Sequence, residues 1–255
     1  LPIDLLTEDY SSTISLKCKT NAGPVAVTIE TERGSGGALS SKIGGKFSYA
    51  GVSFDKIQMK PDGGHVLEAS MKVASGVTLA FKGNKGADLC VDYTVGNIFA
   101  TGVLDVKEMS KFSTSASLGL SSGVKFGGDL TYGLSGKTGV SAFNVGGSYA
   151  AGPIFASVTT ANKLSQFNLA LLYKVNDTLS LASHTSHSSA KACDVLAVGG
   201  SYKAASIGTI KAKVGSDGIL SACVIREVAP KVTVTGSASI STSGENFNYG
   251  LGIVM

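Results

Sequence analysis

The sequence predicts an all-β chain: a transmembrane β-barrel of about nineteen strands, preceded by a short helical segment. Three observations carry that prediction. Apolar and polar residues alternate with period two from Thr13 to the end. Only 16% of residues are charged and mean hydropathy lies above zero, yet no apolar run reaches the roughly 18 residues of a membrane helix. Finally, the last eight residues put Tyr249, Leu251, Ile253 and Met255 on one face, with Asn248, Gly250, Gly252 and Val254 on the other. In water such a strand edge invites aggregation; in a barrel it is the strand that closes the ring.

Residues 1–12 form the helical segment and 13–255 the barrel. In the first, Ile3, Leu6 and Tyr10 share a helical face. The segment is too short to be stable alone in water, so it must pack on something. The chain begins at Leu1, and a short N-terminal piece is expected to precede it. No signal-peptide pattern is present, because Asp4, Glu8 and Asp9 interrupt the first apolar stretch.

The alternation then runs strand by strand. Ile14, Leu16 and Cys18 oppose Ser15, Lys17 and Lys19; Val25, Val27 and Ile29 oppose Thr28 and Glu30; Ile43, Phe47 and Tyr49 oppose Lys42, Lys46 and Ser48. A run over 52–60 ends in a turn at 61–64, after which Leu67, Ala69, Met71 and Val73 oppose Glu68, Ser70 and Lys72. Val77, Leu79 and Phe81 oppose Thr78 and Lys82, and Leu89, Val91 and Tyr93 oppose Asp88 and Asp92. The stretch 97–107 is longer and less clean. Further on, Phe112, Ala116 and Leu118 oppose a serine row; Phe126, Leu130 and Tyr132 oppose Lys125, Asp129 and Thr131; Phe143, Val145 and Tyr149 oppose Asn144 and Ser148. Strands follow at 154–160, 166–175, 179–185, 196–203, 209–214, 219–227, 231–240 and 246–255, separated by short turns such as Ser216-Asp217-Gly218.

Each strand is thus apolar on one face and Ser, Thr, Lys or Gly on the other, the pattern of a barrel facing lipid outside and water inside. This many strands enclose a lumen too wide for small side chains to fill. Lysine dominates the inner face, joined by Glu30, Glu68, Asp88, Asp92 and Asp129, and the formal net charge is +4. A lysine-lined pore favours anions.

Other chemistries find no support. No basic stripe interleaved with aromatics marks a nucleic-acid surface. Cys18, Cys90, Cys193 and Cys223 show no paired spacing, so free thiols are expected. His184 and His187 lie near Cys193 and Asp194, but the ligands are few and no metal is expected. Gly34-Ser35-Gly36-Gly37 lacks the lysine and helix of a phosphate loop. No catalytic constellation is present, and the expectation is a protein that is not an enzyme and needs no cofactor.

Three stretches carry a resemblance: Asp4-Leu5-Leu6-Thr7-Glu8-Asp9-Tyr10, then Lys211-Ala212-Lys213-Val214 with Ser216-Asp217-Gly218, and last Asn248, Gly250, Ile253 and Met255. They resemble, in turn, the end of the N-terminal helix, a lysine-rich strand and turn, and the C-terminal sorting signal of the mitochondrial porin family, the voltage-dependent anion channels. The resemblance implies a barrel in the mitochondrial outer membrane, closed by parallel first and last strands, with the helix inside the lumen. It implies passive exchange of ATP, ADP, phosphate and other small anions. The partners it implies are membrane lipid, nucleotides in transit, the barrel insertion machinery, and a homo-oligomer or larger membrane assembly. Anion steering is expected from Lys17, Lys19, Lys125, Lys174, Lys211 and Lys213.

The chain also departs from the family. No glycine lies in Asp9-Tyr10-Ser11-Ser12, where members carry hinge glycines, and Gly76-Val77-Thr78 lacks the lysine of a Gly-Leu-Lys triplet. Glu8 replaces a basic residue, Asp88 and Asp92 stand where some members place lumen lysines, and Lys56 lies near the place of a lipid-facing glutamate. Two other readings share parts of the pattern. The pore subunit of the outer-membrane protein translocase has the same barrel but calls for a more acidic lumen. A soluble β protein would stay dispersed without detergent.

Overall fold

The computed structural model describes every residue except 1, 35, 137, 189–194 and 245–246. Helix α1 (Pro2–Thr7) precedes nineteen strands: β1 (Ile14–Ala22), β2 (Val25–Arg33), β3 (Leu39–Tyr49), β4 (Val52–Met59), β5 (His65–Ala74), β6 (Val77–Gly83), β7 (Ala87–Val95), β8 (Ile98–Asp105), β9 (Lys111–Gly119), β10 (Val124–Gly133), β11 (Gly139–Ala151), β12 (Ile154–Ala161), β13 (Gln166–Lys174), β14 (Leu179–Ser188), β15 (Val195–Ala204), β16 (Gly208–Gly215), β17 (Ile219–Ala229), β18 (Val232–Ser241) and β19 (Phe247–Val254). Sequential neighbours pair antiparallel around the sheet. An odd number of strands cannot close that way, so β1 and β19 meet in parallel, with Ile14 opposite Leu251 and Lys17 opposite Val254. The seam extends beyond the strands: the Leu251 amide donates to the Thr13 carbonyl at 3.0 Å, Met255 to Lys17 at 2.9 Å, and Lys19 to Met255 at 2.6 Å. Every strand therefore has two hydrogen-bonded neighbours, which is what a sheet in hydrocarbon requires.

Burial is inverted relative to a soluble protein. Ile29, Ile43, Met71, Phe126, Phe167, Leu171 and Val198 are among the many large apolar side chains exposed on the outer face. Among the described residues the buried apolar cluster is small: Leu5, Leu6 and Ala182, flanked by Leu172 and Ala197. The helix thus lies inside the barrel, against β13 to β16. It also identifies the inner face, since Leu172, Ala182 and Ala197 alternate with the outward Leu171, Leu181 and Val198. The register carries that assignment around the ring.

The helix rests on the wall because the wall residues are small. At Gly199 an added Cβ would come within 2.8 Å of Leu6 Cδ2. Burying Leu5 and Leu6 stabilises the contact by about 2 kcal/mol each, which offsets the weakness of a single short helix. The buried face differs from the expected one. Ile3 is 47% exposed, whereas Pro2, Leu5 and Leu6 are buried. The helix ends at Thr7, and a left-handed turn at Asp9 (φ 73°) brings Tyr10 to the wall by a different route. Tyr10 then donates its hydroxyl to the Leu5 carbonyl at 3.2 Å.

From there the chain crosses directly over β19. A Cβ at Gly250 would stand 2.0 Å from the Ser11 carbonyl oxygen, and the same oxygen accepts a hydrogen bond from the Ser237 hydroxyl. Two lysines depart from simple alternation. A bulge between Phe54 and Lys56 turns Lys56 inward beside Glu68, at 3.8 Å, so it does not replace a lipid-facing group. Lys231 sits in a left-handed turn (φ 67°) between β17 and β18, off the inner face.

Leu6→Ala should weaken helix docking by about 2–3 kcal/mol. Protease digestion of the refolded protein in detergent micelles should then trim the N-terminal segment and spare the strands. Unchanged protection would assign the docking to the polar contacts alone.

Candidate functional site: the barrel lumen

The inner face carries two kinds of wall. From β1 to β10 basic and acidic groups interleave. Glu30 lies between Lys17, at 3.6 Å, and Lys42, at 3.1 Å. These join Lys46, Lys56 and Gln58 around a hollow of about 490 Å³. Lys72 and Lys82 follow, facing Thr78 and Asp88 across the register. Asp92 accepts from the Thr101 hydroxyl at 2.7 Å. Asp105 is spent on the β8–β9 turn, accepting from the Lys107 and Glu108 amides at 3.2 Å and from the Ser110 hydroxyl.

Strand β8 explains its unclear pattern: its register puts the small Ala100 and Gly102 outward and Phe99, Thr101 and Val103 inward. Phe99 borders a second hollow, of about 430 Å³, with Lys125 and the Asp129–Asn144 pair, bonded at 2.9 Å. Its floor includes Gly127 and Gly146, which are register partners.

From β11 to β16 no described strand residue is acidic. This is the wall under the helix, and the helical segment supplies Asp4, Glu8 and Asp9 to that side. Lys211 Nζ pairs with Asp9 at 2.5 Å. Lys213 Nζ donates to the Leu6 carbonyl at 2.6 Å, at the helix C-terminus where a cation is favoured, and lies 4.5 Å above the Tyr10 ring. Burial pushes the Tyr10 phenol well above its ordinary pKa, so it remains a hydrogen-bond donor.

All six lysines expected to steer anions therefore face the lumen, in three different situations. Lys17 shares Glu30 with Lys42. Lys211 and Lys213 hold the N-terminal segment, a role the spacing of the sequence did not reveal. Lys19, Lys125 and Lys174 face Thr28, Ser148 and Ser180 across the register and make no side-chain ion pair among the described residues.

Of the residues expected to form a C-terminal sorting signal, Asn248 and Gly250 face inward beside Ser239 and Ser237, while Ile253 faces outward beside Leu16 and Val234, and Met255 alternates onto that same outer side. His184 faces inward opposite Ala197, and His187 faces outward opposite Phe167. Three residues apart on a strand, they take opposite faces and cannot share a site. Cys193 and Asp194 lie outside the described residues; Cys18, Cys90 and Cys223 are free thiols.

The barrel resembles solved porins in fold. A mutant of the Rh. blastica porin superposes with TM-score 0.53 at 12% identity, over 95% of each chain. A triple mutant of the Rhodopseudomonas blastica porin gives 0.51 at 13% identity, again over 95% of each chain. No curated protein matches this chain in sequence. The two likenesses speak for the barrel alone. A porin barrel is a channel for small solutes and not an enzyme, and the family model described as eukaryotic porin matches residues 3–252, so the chain belongs to the eukaryotic porin family.

Proposed function

We propose that this barrel is a passive, weakly anion-selective channel for ATP, ADP, phosphate and other small anions across the mitochondrial outer membrane. The observation that carries this reading is the wall from β11 to β16, whose described strand residues include no acid, together with lumen lysines that have no carboxylate partner among the described residues. Lys19, Lys125, Lys174 and Lys203 add positive potential to the water inside the pore. The interleaved carboxylates from β2 to β10, and the acids on the N-terminal segment, offset part of it. The balance favours anions without excluding cations. The C-terminal Asn248, Gly250, Ile253 and Met255 support the mitochondrial address, read by the barrel insertion machinery.

Planar-bilayer recording in a KCl gradient tests the selectivity. The reversal potential should lie toward chloride and move further that way as salt is lowered, because screening relaxes. The double variant Lys19→Glu, Lys125→Glu should move it toward potassium. A wild-type preference for potassium would overturn the proposal.

A second reading, the pore subunit of the protein translocase, draws on the inward carboxylates Asp88, Asp92 and Asp129. A basic amphipathic presequence peptide separates the two readings. It should leave the current of a metabolite channel nearly unchanged and block that of a translocase pore.

The sorting role is separable from the packing role of Gly250. Ile253→Ser leaves the ladder and the Ser11 crossing intact, so the purified chain should refold in detergent yet fail to insert into isolated mitochondria. Gly250→Ala should impair both, because its Cβ meets the Ser11 carbonyl. Normal mitochondrial insertion of Ile253→Ser would remove Ile253 from the signal.

A further inference from the structure

Three large apolar side chains are exposed together on the inside of the barrel beside the helix, where water is the expected neighbour. Ile3 is 47% exposed, Val195 47% and Ile219 40%. They border one cleft of about 640 Å³ between the helix and strands β14 to β17. Its floor and sides also include Leu6 and Ala197, so most of the surface that a small molecule would touch is apolar.

Lys213, Ser216, Asp217 and Ser221 lie together on the β16–β17 side of this cleft, while His184 and Thr7 border it elsewhere. Ser221 and Lys213 are direct register partners, which puts their side chains about 5 Å apart. Ser221 is only 5% exposed and lines the cleft, yet its hydroxyl makes no hydrogen bond among the described residues. The hydroxyl opens onto the cleft rather than being sealed off, so it is free to donate to an occupant. Lys213 uses one Nζ hydrogen on the Leu6 carbonyl and keeps two. Asp217, at the rim, has one carboxylate oxygen engaged by the Ile219 amide at 3.0 Å. One ammonium and one hydroxyl beside a neighbouring carboxylate suit a monoanion better than a phosphate dianion.

We infer that the cleft between the helix and β14–β17 binds an amphipathic monocarboxylate of the medium-chain fatty-acid type. The carboxylate accepts hydrogen bonds from Lys213 Nζ and the Ser221 hydroxyl, and the aliphatic chain lies on Ile3, Ala197, Val195 and Ile219. The width of the wall from β14 to β17, roughly 14 Å at the ordinary strand spacing, matches such a chain. Ile3, Leu6 and Thr7 belong to the helical segment and the other lining residues to the barrel. An occupant therefore contacts both and holds the helix in its docked position. The inference rests on the same water-filled lumen as the channel reading.

Methyl NMR of isoleucine-labelled protein in lipid nanodiscs, titrated with octanoate, tests it. Octanoate should shift the Ile3 and Ile219 methyl signals saturably, and octanol, which has the chain without the carboxylate, should not. Ser221→Ala should weaken binding about tenfold, the loss of one hydrogen bond to a charged group. Ile219→Asp should abolish it, whereas Ser117→Ala on the far wall should leave it unchanged. Non-saturable shifts shared by octanoate and octanol across the lipid-facing isoleucines would overturn the inference as partition into lipid. So would octanoate binding that survives both Ser221→Ala and Ile219→Asp. Because binding is read without current, a barrel that binds octanoate and does not conduct would overturn the channel reading alone. One that conducts and does not bind would overturn this inference alone.

Discussion

Closure of the ring governs everything else in this molecule. In hydrocarbon an unpaired amide or carbonyl has no solvent to turn to, so a sheet can persist there only as a ring. The parallel seam of β1 and β19 meets that demand for an odd number of strands. The ladder of main-chain hydrogen bonds from Thr13 to Met255 holds it together. Once the ring is closed, the direction of every side chain follows from the pleat. Apolar residues go to lipid, and what remains defines a lumen.

That lumen has no packed interior, so its stability problem is local. The one buried apolar cluster among the described residues forms where the N-terminal segment meets Ala182, Ala197 and Gly199, a patch of wall with little side chain. Charge follows the same division. The strands beneath the helix have lysines and, among the described residues, no carboxylates; the segment laid on them brings most of the acid to this side. Lys211 and Lys213 are consequently docking groups as well as lumen charges. The ion pair with Asp9 is partly exposed and contributes at most about 1 kcal/mol; the apolar contact of Leu5 and Leu6 contributes more. Placing the helix here also leaves a part-covered apolar cleft beside it, bounded by Ile3 and Ile219, in which Ser221 has no partner among the described residues.

Much of this was legible in the chain. Period-two alternation marks the strands well because only one face of each may be polar. It faltered at β8, where Phe99 and Val103 point inward while the outer face carries Ala100 and Gly102. There the contrast between faces is weak, and only neighbouring strands set the register. Alternation alone could not place Lys56, because a bulge adds one residue and reverses the face, and it drew Lys231 into a strand, because a lysine beside a strand looks the same in a turn. The helical face was misassigned for a related reason. A single turn or two of helix has too few residues for its periodicity to show which side is buried.

Local alternation was enough to specify the architecture: about nineteen strands, a lipid-facing apolar surface, a lysine-rich lumen and a C-terminal strand able to close the ring. None of these properties needs knowledge of distant contacts. Three others emerged only from the folded barrel: which lysines are paired, which hold the helix, and why Gly250 must lack a side chain. Lys211 lies far from Asp9 along the chain, as Gly250 does from Ser11, and both pairs meet only because the ring closes. Contacts of that kind depend on register summed around the whole barrel, and no short stretch of sequence encodes them.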